Sequence, residues 1–292
     1  MTRCRSATRC VAGLPFLAGA LAVAACSGDP RAHTSPYELV DADGNTVALE
    51  GPARRVVSLV PSASETLHAL GRDDALVGRT DFDTASWAAA IPSVGGGLEP
   101  SLEAIVALAP DLVIRFGGEQ DTRTPARLDG LGIDHMAVRP DRVDDIYRTV
   151  ALVGRAIGEP ESADSLGAEI RAGLAAASAR VGARPRVRVA YLLDGTPPWA
   201  AGPDTFIDEI LELMGGENVF RDLGALYAPV SPEQLRERAI DVVLLAGTQS
   251  FDGSLVPGAR IERTDGALDL PGPGVVHAAE RIGELLHGRT PR

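Results

Sequence analysis

Apolar positions in this chain follow two alternating rhythms. Short, nearly continuous aliphatic runs at Arg55 to Val60, Ala75 to Gly78, Asp134 to Val138 and Arg186 to Leu193 predict buried strands. Between them, apolar residues spaced three and four apart predict helices. Tyr37 to Val40 and Thr46 to Leu49 flank Asp41-Ala-Asp-Gly44 and predict a β-hairpin. Ser62 to Gly71 predicts a helix with a capping residue at its start and glycine at its end. A further helix ends over Arg127 to Leu131, and others are predicted over Thr205 to Met214 and Val275 to Leu286. Ile146, Val150, Val153 and Ile157 mark a helix over 143–157, which Gly158-Glu-Pro160 interrupts. Leu166, Ile170, Leu174, Ala177 and Val181 then set a second helix over 161–181. At 1.5 Å per residue it is roughly 30 Å long, a stiff strut or else a plain surface helix of the first lobe.

One unit occurs twice. Ser101-Leu-Glu-Ala-Ile-Val-Ala-Leu-Ala-Pro-Asp111-Leu-Val-Ile114 matches Ser231-Pro-Glu-Gln-Leu-Arg-Glu-Arg-Ala-Ile-Asp241-Val-Val-Leu244 in its serine, glutamate, aliphatic, aspartate and closing apolar positions. Each copy predicts a capped helix, a tight break and a buried strand. A unit built twice points to two lobes, and two lobes enclose a cleft. The expected fold class is α/β, with two lobes of mainly parallel sheet joined by a single long backbone helix. The expected boundaries are 37–142 for the first lobe, 143–184 for the connecting helical region and 185–292 for the second lobe.

The amino-terminal stretch changes the picture of where the chain works. Arg3, Arg5 and Arg9 precede an apolar run, Val11 to Ala25, that contains Pro15 and is short for a membrane span. It ends in Val23-Ala-Ala-Cys26-Ser27, which is similar to a bacterial lipobox. Residues 1–25 are therefore expected to be a lipoprotein signal peptide, Cys26 the lipidated residue, and 26–36 a polar tether. Lipidation would anchor the exported protein to a membrane. Cys4 and Cys10 fall in the signal, so the exported domain is expected to hold neither a disulfide nor a cysteine-based metal site. A formal net charge of -12 argues against nucleic acid as a partner.

Candidate chemistry is sparse. Phe82, Phe116, Trp199 and Tyr227 are expected in loops after strands, where they line a cleft or plug the ends of their own cores. Gly95, Gly96 and Gly97 either let backbone approach a ligand closely or form a plain turn. The five histidines, His33, His68, His135, His277 and His287, show no metal spacing, and no metal site is expected. No nucleophile elbow is present, and no catalytic residue is expected. Asp73-Asp74 and Asp144-Asp145 are adjacent and point apart, while Asp208 and Glu212 share a solvated face.

Three segments carry a family resemblance. Arg55-Val-Val-Ser-Leu-Val-Pro-Ser-Ala-Ser-Glu65, Leu102 to Ile114 and Pro197-Pro-Trp-Ala-Ala-Gly202 resemble the helical-backbone (class III) substrate-binding proteins of ABC importers. Within them the chain is most similar to the branch that binds vitamin B12 (cobalamin), with heme- and siderophore-binding relatives nearby. The resemblance implies a monomer that clamps a corrinoid between two lobes with little hinge motion and delivers it to a permease and ATPase complex. Heme or a ferric siderophore is the alternative ligand, and a membrane-tethered sensor or scaffold without ligand the alternative function. No other cofactor is implied. Ligand contacts are expected from Phe82, Gly96, Gly97, Phe116, Gly117, Trp199 and Tyr227. Glu103 and Glu233, which equally suit their helix starts as first-turn carboxylates, are implied as the docking charges for permease arginines. Two departures stand out. Gly274 occupies the place where cobalamin-binding relatives have arginine, and 246–266 is short, with no helix expected before a strand at 259–262.

Overall fold

The computed structural model describes residues 37–118, 121–248, 250–264, 266, 268 and 270–288, all within one unit, Ser35–Arg292. The expected signal peptide, Cys26, the tether and His33 lie outside the described residues.

The chain opens with the hairpin β1 (Tyr37–Val40) and β2 (Thr46–Leu49). Then follow β3 (Val56–Ser58), α1 (Pro61–Ala69), β4 (Leu76–Gly78), α2 (Leu102–Ala107), β5 (Leu112–Phe116), α3 (Thr124–Gly130) and β6 (His135–Val138). These strands form a four-stranded parallel sheet in the order β4-β3-β5-β6. Val56, Val57, Leu112, Val113 and Ile114 are fully buried, as strands covered on both faces require. The hairpin turn covers the open edge of β6: Asp41 accepts the Ala137 N–H at 3.1 Å, and the Ala42 N–H donates to the Ala137 carbonyl at 3.1 Å.

Two helices, α4 (Val143–Ala156) and α5 (Pro160–Val181), carry the chain to β7 (Val187–Leu193). After β7 come β8 (Trp199–Ala201), α6 (Phe206–Leu213), β9 (Gly216–Asn218), β10 (Tyr227–Pro229), α7 (Pro232–Glu237), β11 (Val242–Leu245), β12 (Arg260–Arg263) and α8 (Val275–His287). The second sheet runs β10-β8-β7-β11-β12, with β9 also paired to β7. Its pairings are parallel except β7 with β8 and β8 with β10, so it is less purely parallel than the first. Between β11 and β12 the described residues form only a 3-10 turn, Gly253–Leu255, as the short 246–266 stretch led one to expect.

The long helix expected over 161–181 is the 22-residue α5, but it does not work alone. Ala163, Ile170, Leu174 and Ala177 pack α5 into the core of the second lobe. The preceding α4 gives Val143, Ile146 and Val150 to that core, and Leu152, Val153 and Ala156, with Ile157 just after it, to the core of the first lobe. The two helices touch closely because Gly154 has no side chain: a Cβ there would sit 2.2 Å from that of Ala163.

The repeated unit folds the same way twice. Ser101 caps α2 by accepting the Ala104 N–H at 3.2 Å, and Ser231 caps α7 by accepting that of Gln234 at 3.3 Å. Ile105 and Leu235 are the buried aliphatic positions. Asp111 accepts the N–H groups of Arg54 and Arg55 at 2.8 and 3.0 Å just before β3. Asp241 accepts the Arg188 N–H at 2.9 Å and its guanidinium at 2.6 and 3.0 Å on β7. Each aspartate pins the head of its strand to the head of a neighbour. One expectation is corrected: α1 has no side-chain cap. It starts at Pro61 after Val60, and Ser62 lies inside the first turn. Proline supplies the start because its missing N–H costs nothing there.

Candidate functional site

Parallel strands leave their carboxyl ends on one side of a sheet, and the loops beyond those ends are where a site collects. In the first lobe four such loops meet a cavity of about 590 Å³. Leu59 to Ser62 come from the end of β3, Phe82 from the loop after β4, Phe116 and Gly117 from the end of β5, and Arg139 to Asp141 from the end of β6. Gly96, Gly97, Leu98 and Glu99 complete that wall. The second lobe contributes Phe206, Tyr227, Leu270 and Pro271.

Six of the seven expected ligand contacts, Phe82, Gly96, Gly97, Phe116, Gly117 and Tyr227, line this cavity. Trp199 does not line it. It lies on β8 opposite Pro229, 43% exposed, with Gly195 packed against its indole. Three of the four aromatics also belong to strands rather than loops: Phe116 ends β5, Trp199 begins β8 and Tyr227 begins β10. Only Phe82 is a loop residue. It stays 66% exposed although its loop is well braced. Asp83 accepts the Thr80 N–H at 2.9 Å and its hydroxyl at 2.6 Å, and the Phe82 N–H donates to Thr80 Oγ1 at 3.2 Å. The bracing holds an exposed aromatic ring in one place at the cavity wall.

The glycines work by absence of bulk. A Cβ at Gly97 would lie 2.4 Å from the Leu59 carbonyl oxygen and 3.1 Å from the Phe116 ring, so glycine alone lets this loop close over β3. A Cβ at Gly117 would strike Asp43 and Arg139, at 2.6 and 2.8 Å. Gly117 therefore makes room for protein side chains as well as for space in the cavity. Gly95 does not line the cavity; it pairs with Pro100.

The cavity is mostly apolar with a few polar groups, the mixture typical of small-molecule sites. Burial pushes the Tyr227 hydroxyl up to about 12, with the charge of Asp141 adding to it. Burial also raises the Asp141 carboxyl, opposed by the nearby Arg139. The Asp141 carbonyl accepts the Phe206 N–H at 2.7 Å and so ties the first lobe to the start of α6. Arg142 reinforces the tie with ion pairs to Asp204 at 3.0 Å and Glu209 at 2.7 Å. Ser62, Arg139, Asp141 and Phe206 were not foreseen. Arg139 and Asp141 had a usable signal, since they follow a predicted strand exactly as Phe116 and Gly117 do.

Gly274, in the place where arginine was implied, does not line the cavity. It begins α8 and packs on Glu65 of α1: Cβ atoms at Gly272 and Gly274 would fall 2.2 and 2.8 Å from the Glu65 carboxylate oxygens. Burial raises the Glu65 carboxyl, against the Gly274 N–H and His68. Glu103 and Glu233 are both exposed in the first turns of α2 and α7. Among the described residues no group of three or more His, Cys, Asp or Glu is placed to hold a metal ion, and no helix is long and apolar enough to cross a membrane.

Known proteins share this architecture. A family model described as periplasmic binding protein matches residues 56–262. A cobalamin-binding protein of Halobacterium salinarum is 33% identical over 287 residues, covering 89% of this chain and 76% of that protein. The solved structure of a periplasmic heme-binding protein from Roseiflexus sp. RS-1 superposes with a TM-score of 0.70 at 28% identity, over 80% of this chain and 98% of that one. The periplasmic vitamin B12 binding protein of Vibrio cholerae shares the fold, with a TM-score of 0.71 at 23% identity over 80% of this chain and 97% of its own.

Proposed function

Because the chain belongs to the periplasmic binding protein family, we propose that it captures a corrinoid between its two lobes and delivers it to the permease of an ABC importer. The observation that carries this reading is the cavity of about 590 Å³ walled by Phe82 and Phe116 on one side and Phe206 and Tyr227 on the other. Flat apolar faces on both lobes suit a macrocycle held edge-in between them. The named activity of the Halobacterium relative, cobalamin binding, supports the same ligand class.

In this reading the chain is exported, held at the membrane by lipid on Cys26, and works as a monomer with an ABC permease and ATPase. Glu103 and Glu233 are its docking charges. Both are exposed in the first turns of α2 and α7, one on each lobe, which is what a docking charge needs. Binding, not catalysis, is its work.

Calorimetric titration of the full chain carrying Cys26→Ser, which blocks acylation, tests the ligand. Cyanocobalamin is expected to bind with a Kd of roughly micromolar or below. Heat from hemin or a ferric siderophore, with none from either cyanocobalamin or dicyanocobinamide, would move the ligand within the family. Silence with all of them would favour the tethered sensor or scaffold, the reading that Gly274 and the short 246–266 stretch motivate.

A further inference from the structure

Arg115 is the one buried arginine among the described residues, 3% exposed near the carboxyl end of β5. A guanidinium taken out of water needs partners, and the partners here are specific. Its Nη1 donates to the Phe116 carbonyl at 2.9 Å and to the Asp43 carboxylate at 3.3 Å. The same carboxylate accepts the Gly118 N–H at 2.8 Å. Phe116 and Gly117 line the cavity, so these bonds fasten one strip of its wall at both ends. Asp43 belongs to the turn between β1 and β2, and the strip is thus pinned from outside its own sheet.

The remaining bond of Arg115 sets a condition on the others. Its Nε–H donates to Nδ1 of His135, the first residue of β6, at 3.1 Å. An arginine Nε–H is always a donor, so Nδ1 must present a lone pair. The ring proton then sits on Nε2, which faces the Asp129 carboxylate of α3 at 3.1 Å. One neutral tautomer serves both contacts. A second proton has only Nδ1 to go to. There it takes the lone pair that Arg115 uses and sets an imidazolium against a guanidinium. Asp129 favours that proton, but it is 74% exposed and screened by water, whereas Arg115 is enclosed with the ring. The other charges nearby are Asp134, which precedes the ring in the chain, and Asp43 with Arg139 beyond the guanidinium.

We infer that Arg115 is a positioning residue for the cavity wall at Phe116 to Gly118, and that it holds this strip for binding only while His135 is neutral. Imidazoles change charge between about pH 5 and 8, so mild acid loosens the strip and releases the ligand. The binding half of this inference rests on the ligand capture proposed above; the brace on the wall does not.

Two readouts in the full chain with Cys26→Ser test it. The first needs no ligand. Hydrogen exchange of the Gly118 amide, read by NMR and corrected for the intrinsic effect of pH, should show protection falling about tenfold between about pH 7.5 and about 5.5. His135→Asn keeps an acceptor oxygen for Arg115 but cannot take up a proton, and its protection should stay level. The second readout is calorimetric titration with cyanocobalamin. The wild-type Kd should rise about tenfold over the same interval, while that of His135→Asn stays constant. Arg115→Met should bind weakly with little dependence on pH. His68→Asn, which removes a histidine bonded to Asp73 instead, should behave as the wild type. Thermal melts at both pH values separate loss of the brace from loss of the fold. Protection that does not fall in the wild type, or falls as far in His135→Asn, overturns the inference whatever binds. A fall in protection with an unchanged Kd overturns its binding half. No cyanocobalamin binding at either pH brings down the corrinoid reading and leaves exchange to decide the brace.

Discussion

Glu65 shows how one side chain joins two lobes at a cost. It belongs to α1, yet its carboxylate packs on the turn that starts α8, and its Oε2 is buried without a hydrogen-bond partner among the described residues. Burial raises its pKa above 4.5, so between 4.5 and the raised value the folded state holds a proton that the unfolded chain releases. Its own contribution to stability is therefore greatest below 4.5 and is lost as pH rises through the folded pKa. Glu65→Gln should flatten that slope and raise the Tm at pH 7 by a few degrees, the scale on which about 1 kcal/mol registers in a chain of this size. Melting curves from pH 4 to 8 check it; an unchanged slope would sink the assignment. Sequence could not reveal this pairing. Glu65 and Gly274 are more than two hundred residues apart, and their contact exists only in the folded chain.

At the scale of elements, the repeated unit was the most legible part of the chain. Its serine caps, buried aliphatic and strand-heading aspartates all appear in both copies, because each depends on neighbours within a few residues or on an adjacent strand. The copies differ in one respect that carries a prediction. Gln234 returns a hydrogen bond to the Ser231 N–H at 2.9 Å, whereas Ala104 has no group to do so. Ser231→Ala is expected to cost about 1 kcal/mol and Ser101→Ala somewhat less, measured by urea unfolding. Equal costs would mean that the returning bond adds nothing. The short strands β8, β9 and β10 were invisible by comparison. Three residues give no periodicity to read, and their pairing is set by β7 from outside. Trp199 and Tyr227 were assigned to loops for that reason.

At the scale of the whole molecule, two glutamates on separate lobes would act together on a partner. If they dock the permease, Glu103→Arg and Glu233→Arg should each weaken the complex about tenfold, and the double variant by roughly the product. Surface plasmon resonance against the permease in nanodiscs measures this, with melts confirming that α2 and α7 persist. No loss from either reversal would leave helix capping as their whole role.

The placement of α4 has an effect of a different kind. One face of this helix fills the core around Val150 and the other end fills the core around Val153, so neither lobe has a complete interior without it. Melting one lobe strips apolar surface from the other. The two lobes are therefore expected to unfold together, as one transition seen alike by near- and far-ultraviolet circular dichroism in urea; two separated transitions would show that α4 does not couple them. A chain whose lobes are coupled in this way spends less time half-folded with one sticky lobe, the kind of species that aggregates or is cut by proteases.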